Sequence, residues 1–281
     1  VTRAISGATR VAAVIGSPIR HSLSPTLMNA AFAAVDADWV YVAFDVAAGN
    51  AGAALDAMRA LDLGGLSVTM PHKEDVAALV DELSPDADAL GAVNCVRRAG
   101  AALVGENTDG PGFRDALGDI GFDPAGRRAA VLGAGGAARA VVLALARAGA
   151  AEVMVVSRTV AKSNRAAALA GEAGRVVAAG AIADADLVVN ATPVGMLDED
   201  TPFDPDLLRP DHVVIDLVYH PAVTPLLHAA RRRGATAANG LGMLVHQAAH
   251  AVRHWTGVSP PVPRMLDAAH AALGERARNT D

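Results

Sequence analysis

Short apolar runs alternate with longer alanine-rich stretches along nearly the whole chain. "VAAVIG", "WVYVAFDV", "GLSVTM", "ALVGENTD", "AAVLGAGG", "EVMVVSR", "DLVVNATP" and "HVVIDLVY" each read as a strand, several of them closing on turn residues. Between them, residues 25–35, 51–61 and 137–148 follow helical spacing. Strands that alternate with helices predict an α/β fold built on parallel sheets, because each crossover helix returns the chain to the same sheet edge. No internal repeat, charge block or low-complexity linker interrupts this rhythm.

Two breaks in the pattern suggest how the chain is divided. "GFDPAGRRAAVLGAGG" carries turn residues at Asp123, Pro124 and Gly126 and then restarts with a fresh strand, so a second domain is expected to begin between residues 109 and 128. After "ANGLGM" an amphipathic helix is expected over 241–254, of the sort that packs back across a domain junction.

Composition narrows the classes of function. The 281 residues suit two domains, and a hydrophobic share of 52% with only 3% aromatics predicts cores of Ala, Val and Leu. Scarce aromatics and a net charge of −6 argue against a nucleic-acid surface, while leaving room for a local anion site. One cysteine, Cys95, excludes an internal disulfide, fits a reducing cytosol and reads as a small packing residue. No apolar run approaches the ~18 residues of a membrane span, and no basic-then-apolar leader opens the sequence, so a cytoplasmic protein is expected.

"VLGAGGAARA" sets Gly133, Gly135 and Ala138 in the pattern G-x-G-x-x-(G/A). The turn follows one predicted strand, opens a helix, and precedes a second strand ending near Ser157, which is the context a dinucleotide fingerprint requires. Small residues admit a pyrophosphate close to the backbone, and the helix start offers free N–H groups. NAD sites usually carry an acid at the end of the second strand, but here "SRTVAK" supplies none. Arg158 can fork onto a 2′-phosphate, Lys162 lies a turn further on, and Ser157 and Thr159 add hydroxyls. NADP is therefore expected over NAD.

Proton chemistry needs polar groups at strand ends. "SVTMPHK" delivers Thr69 and Lys73, "GAVNCV" supplies Asn94, and "GENTDG" supplies Asn107, Thr108 and Asp109. Lys73 can move a proton and Asp109 can orient it. A nearby carboxylate raises a lysine pKa, so either burial offsets that effect or Lys73 acts as an acid in the reductive direction. Histidines 246, 250 and 254 share a helix face without a metal-binding motif, and no metal is expected. In "GSPIRHSLSP", Ser22 and Ser24 could cap a helix opening at Pro25 or hold a ligand.

Taken in order, "GSPIRHSLSP", "VTMPHK", "GAVNCV", "GENTDG", "GAGGAARA", "SRTVAK", "NATPVGM", "DLVYHPAVTPLL" and "GLGMLVHQAA" resemble the shikimate dehydrogenase family. The resemblance implies NADPH-dependent reversible reduction of 3-dehydroshikimate to shikimate, on the route to chorismate and the aromatic amino acids. It implies an N-terminal α/β substrate domain over 1–108, a Rossmann-type NADP domain over 109–240, and a C-terminal helical segment over 241–281 returning to the first domain, with substrate in a cleft that closes. Ser22, Ser24 and Tyr219 would bind the substrate carboxylate. Thr69, Asn94 and Gln247 would hold ring hydroxyls, with Lys73 and Asp109 as the catalytic pair. Gly133, Ala134, Gly135, Gly136 and Ala137 would cradle the pyrophosphate, and Ser157, Arg158, Thr159 and Lys162 would face the adenosine phosphate. Thr192, Leu217 and Gly240 would lie along the nicotinamide end.

The sequence departs from the commoner family pattern in "SRT" for "NRT", "GAVNC" for "GAVNT", "VYH" for "VYN", and the acid in "GEN". Two other readings compete: a quinate/shikimate dehydrogenase using NAD(P), and a catalytically silent NADP-binding regulatory protein. Ser24 and Arg158 weigh against the first, and the presence of both Lys73 and Asp109 against the second. A small-molecule substrate and a monomeric or homodimeric state complete the expectation.

Overall fold

A computed structural model describes residues 4–280. In chain order the first elements are β1 (Arg10–Gly16), α1 (Ser24–Ala34), β2 (Trp39–Asp45), α2 (Ala51–Ala60), β3 (Gly65–Val68), α3 (Lys73–Leu79), β4 (Glu82–Leu83), α4 (Pro85–Leu90), β5 (Cys95–Ala99) and β6 (Ala102–Glu106). Then come α5 (Asp109–Asp119), β7 (Arg128–Leu132), α6 (Gly136–Arg147), β8 (Glu152–Val156), α7 (Val160–Ala168), β9 (Gly174–Val176), β10 (Leu187–Asn190), β11 (Val213–Asp216), α8 (Pro225–Arg232) and β12 (Thr236–Asn239). Helices α9 (Leu241–Thr256) and α10 (Val262–Thr280) follow. The three helices read from spacing in the first two thirds of the chain, α1, α2 and α6, lie within one residue of their expected ends.

The chain forms two compact units. One comprises the residues up to Thr108 and those from Val245 onward; the other runs from Asp109 to Leu244. The division thus falls inside α9 and not in the turn before it. Met243 accounts for this: it is 8% exposed and belongs to the same core as Phe113 and Leu117 of α5, so the first turn of α9 is packed in the second unit.

In the first unit a six-stranded sheet has the order β2-β1-β3-β5-β6-β4. Strands β1, β2 and β3 pair in parallel, as do β4 and β6, but β5 runs antiparallel to both its neighbours. The sheet is parallel apart from β5, whose direction has a local reason. Ala99 pairs with Ala102, which leaves Gly100 and Ala101 as a two-residue turn, with Gly100 at φ 62°. A connection that short can join only antiparallel strands. As a result β5 starts at the sheet edge where β1, β3 and β6 end. Ala13, Ile15, Leu66, Val68, Val96 and Leu103 from the strands form one core with Leu55, Met58 and Val76. Both tryptophans belong to this unit, and α10 packs on α1.

The second unit holds a sheet of order β12-β11-β10-β7-β8-β9, with every pair parallel. Both faces of it are apolar. Ala129 and Val131 of β7 face one core with Val141 and Leu145 of α6, while Ala130 and Leu132 face another with Leu226 and Leu227 of α8. This two-sided burial is why these strands read as continuous apolar runs. Strand order reverses between β7 and β10, which opens a crevice beyond their C-terminal ends.

Candidate functional site

In the first unit the polar candidates lie along one sheet edge, held by backbone hydrogen bonds between its loops. Thr69 N donates to Ile15 O at 3.0 Å, Ser17 N to Met70 O at 3.0 Å, and Val46 N to Gly16 O at 3.0 Å. A Cβ on Gly16 would collide with the Thr69 methyl, so the close approach of these loops needs glycine there. Ser22 sits in the loop after β1 and Ser24 is the first residue of α1, and the Ser22 hydroxyl accepts Ser24 N at 3.2 Å. Leu23 is the N-cap of α1 and makes no side-chain cap, while the Ser22 hydroxyl takes the N–H of the helix's first residue.

Asn94 is placed by the reversal of β5. Its backbone joins two neighbours, with Val68 N donating to Asn94 O at 2.8 Å and Asn94 N to Glu106 O at 3.1 Å. Its side chain is 4% exposed and locked to Thr108: Nδ2 donates to Thr108 Oγ1 at 2.9 Å, and Oδ1 accepts Thr108 N at 2.8 Å. Thr108 Oγ1 also lies 3.5 Å from Gln247 Oε1 on α9, which brings Asn94, Thr108 and Gln247 together.

Lys73 opens α3, and its carbonyl accepts Val93 N at 2.8 Å. The preceding His72 is wholly buried, with Nε2 2.7 Å from Val46 O. A carbonyl can only accept, so Nε2 carries the proton, and the ring ties the lysine loop to the end of β2. Glu106, the acid of "GEN", pairs with Arg97 at 2.8 Å across the β5–β6 hairpin, which supplies the partner that this departure requires. Cys95 is buried, and burial pushes its thiol upward.

Asp109 begins α5 in the second unit, 8% exposed. The glycine turn follows β7. Gly133 has φ +108°, and a Cβ there would meet Ala191 O at 3.0 Å, so the position demands glycine. Ala134 and Gly135 complete the turn, and Gly136 and Ala137 open α6, whose N-cap Gly135 has no side-chain cap. A Cβ on Gly135 or Gly136 would meet nothing within 4 Å, so this backbone is open to a pyrophosphate.

Ser157 and Arg158 follow β8, with Arg158 exposed. Thr159 is the N-cap of α7 and donates its N–H to Ser157 Oγ at 3.3 Å. No acid stands in the first turn of α7, where Lys162 lies, so the donor set suits a 2′-phosphate. Thr192 follows β10, with its N–H and Oγ1 on Asn190 Oδ1 at 3.0 and 2.7 Å. Leu217 and Tyr219 follow β11, with Leu217 N on Asn190 O at 2.9 Å. Gly240 precedes α9, and a Cβ there would collide with the Leu217 carbonyl. Asn190, Asp216 and Thr224 hold these loops from beneath; all three lie within "NATPVGM" and "DLVYHPAVTPLL", but nothing in those motifs indicates their partnership.

A parallel sheet of this order, with a glycine turn at the reversal of strand order, defines a Rossmann-type dinucleotide-binding unit. Residues 14–96 match the shikimate dehydrogenase substrate binding domain, residues 240–270 the shikimate 5′-dehydrogenase C-terminal domain, and residues 128–220 the coenzyme F420-dependent NADP oxidoreductase description. The chain is 44% identical over 282 residues to a shikimate dehydrogenase (NADP(+)) of Moorella thermoacetica, covering 96% of each. Among solved structures it resembles a shikimate dehydrogenase in complex with NADP+, at 37% identity and a TM-score of 0.92, over 96% of this chain and 98% of the other. It also resembles the Thermus thermophilus enzyme in complex with NADP(H) and shikimate, at 39% identity and a TM-score of 0.88, over 94% of this chain and 100% of the other. The chain belongs to the shikimate dehydrogenase family of NADP-dependent oxidoreductases.

Proposed function

We propose that this chain catalyses the reversible reduction of 3-dehydroshikimate to shikimate with NADPH. The observation that carries the reading is the polar edge of the first unit's sheet, where a lysine shares one set of strand ends with neutral hydroxyl and amide groups. Neutral donors suit a small hydroxylated ring bearing one carboxylate, and they can hold that anion on a protein of net charge −6. In this reading Ser22, Ser24 and Tyr219 donate hydroxyl protons to the carboxylate, and Thr69, Asn94 and Gln247 hold the ring hydroxyls.

NADPH, when bound, supplies the hydride. Lys73 gives a proton to the carbonyl oxygen in the reductive direction and takes it back in the oxidative one, while Asp109 orients the ammonium. Gly133 to Ala137 offer backbone N–H groups to the pyrophosphate, and Ser157, Arg158, Thr159 and Lys162 receive the adenosine phosphate. Thr192, Leu217 and Gly240 border the nicotinamide. The first unit serves as the substrate domain and the second as the NADP domain. The single cysteine, buried inside the fold, suits a reducing compartment, and the proposal sets the enzyme in the cytoplasm as a monomer or homodimer.

Initial rates with shikimate and with quinate, each against NADP and NAD, test the reading. Turnover is expected to be fastest with shikimate and NADP. No turnover of shikimate would overturn the activity, and a preference for NAD would overturn the role of Arg158.

A further inference from the structure

Asn190 ends β10, Asp216 ends β11, and the two are register partners on neighbouring parallel strands. Thr224 stands just before α8. All three side chains are wholly buried, and they form one hydrogen-bonded network. Asn190 Nδ2 donates to Asp216 Oδ1 at 2.9 Å, and Thr224 Oγ1 donates to Asp216 Oδ2 at 2.6 Å.

The remaining side-chain bonds of this network run to the connections that follow the two strands and to the start of α8. Asn190 Oδ1 accepts Thr192 N and Thr192 Oγ1, and Asn190 Nδ2 reaches Val194 O at 3.3 Å. Asp216 Oδ1 also accepts Val218 N at 3.1 Å, and Thr224 Oγ1 accepts Leu227 N at 3.3 Å. Each carboxylate oxygen of Asp216 thus receives at least one proton donor, which is what a buried carboxylate requires. Apolar residues at these two strand ends would leave Thr192 N and Val218 N without the acceptors they have here, so the polar pair fixes the two loops that follow as well as the strand ends themselves.

We propose that Asn190, Asp216 and Thr224 are positioning residues that fix the loop carrying Thr192 against the loop carrying Leu217 and Tyr219, and so set the nicotinamide for hydride transfer. The inference rests on the proposed activity and extends it. Asn190 grips one loop and Thr224 closes the other, with Asp216 as the joint between them. The β7 turn abuts the β10 loop, with Ala191 O beside Gly133, whereas Ser157, Arg158 and Lys162, proposed for the adenosine phosphate, follow β8 and take no part in the bonds of this network.

The test compares Thr224→Val, Thr224→Ser and Asp216→Asn with the wild-type enzyme. Three readouts are taken: kcat with shikimate and NADP, affinity for adenosine 2′,5′-bisphosphate, and the nicotinamide fluorescence of bound NADPH. Thr224→Val is expected to lower kcat about tenfold and shift the fluorescence toward that of free NADPH, with affinity for the bisphosphate unchanged within twofold. Thr224→Ser, which keeps the hydroxyl, is expected to restore kcat to within twofold. Should Thr224→Val not fold, Asp216→Asn decides the matter, because it leaves the hydroxyl cap of α8 in place; a kcat loss of fivefold or more with normal bisphosphate binding is expected. Wild-type kcat in a folded Thr224→Val or Asp216→Asn, equal losses in the Ser and Val variants, or bisphosphate affinity falling in step with kcat would overturn the proposal. A wild-type enzyme without turnover would sink the assigned activity instead, and the fluorescence would still decide the role of the network.

Discussion

Trp255 on α9 donates its indole N–H to the carbonyl of Val96 on β5, 3.0 Å away and 159 residues earlier in the chain. The ring is 8% exposed, stacks on Tyr41, and lies over Gly65, where a Cβ would drive into the indole. Trp255→Phe keeps much of the apolar contact but leaves the Val96 carbonyl buried without that donor, at a cost of about 1–3 kcal/mol. Urea unfolding should show that loss. Gly65→Ala should cost a similar amount, about 1–3 kcal/mol, through overpacking.

Lys73→Ala removes the proton carrier proposed for the reaction. Such groups contribute roughly 10²–10⁴-fold to rate. The variant is expected to lose kcat by that order while KM for shikimate moves little, because the interaction is used mainly in the transition state. Steady-state kinetics check this, and an unchanged kcat with a raised KM would make Lys73 a binding residue only.

Ser22→Ala takes one hydroxyl from the carboxylate site. A hydrogen bond to a charged group is worth about 1.5–3 kcal/mol, so KM for shikimate should rise roughly 10- to 100-fold. Affinity for NADP should stay as it was. If both affinities fall together, the loop after β1 has a structural role.

Arg158→Ala gives the complementary result. The exposed guanidinium is the planar fork proposed for the 2′-phosphate, and its loss should weaken NADP about 10-fold or more while barely touching NAD. Titration of the free enzyme with each dinucleotide measures the ratio.

His212 makes stability depend on pH. It is 1% exposed, its Nδ1 accepts Arg209 N at 3.2 Å, and burial, reinforced by the Arg209 charge, lowers its pKa. The unfolded chain therefore takes up this proton more readily than the native one. Stability from His212 is complete above the ordinary histidine value near 6.5 and falls as pH drops below it, until the lowered native pKa is passed. The slope should approach about 1.4 kcal/mol per pH unit in that window. Urea midpoints from pH 8 to 5.5 should show the decline, and His212→Asn should flatten it.

The parallel strands of the second unit were legible because both their faces are buried, so Val188 and Val189 read alike. Strand β5 was not, since Arg97 and Arg98 break its apolar run and its direction is set by a two-residue turn. Polar candidates were found where strand ends carry them, as at Thr69 and Asn94. The link between Asn190 and Asp216 could not be read, because it exists only through the neighbouring places of β10 and β11 in the sheet. The packing of Met243 with Phe113 and Leu117 is hidden for a similar reason, since nothing local shows which core a helix's first turn will join.

The division of the chain also bears on the order in which it can be completed. The second unit is one uninterrupted segment, whereas the first is made of two pieces, with the whole second unit lying between them. During synthesis the second unit has all its residues before Trp255 exists, and until then Gly65 and the Val96 carbonyl lack their cover. The proposed substrate residues Ser22, Thr69, Lys73 and Asn94 leave the ribosome early, but Gln247 and the helix that closes their unit leave it late. The dinucleotide-binding half can therefore mature first, and the half that recognises the substrate is finished last.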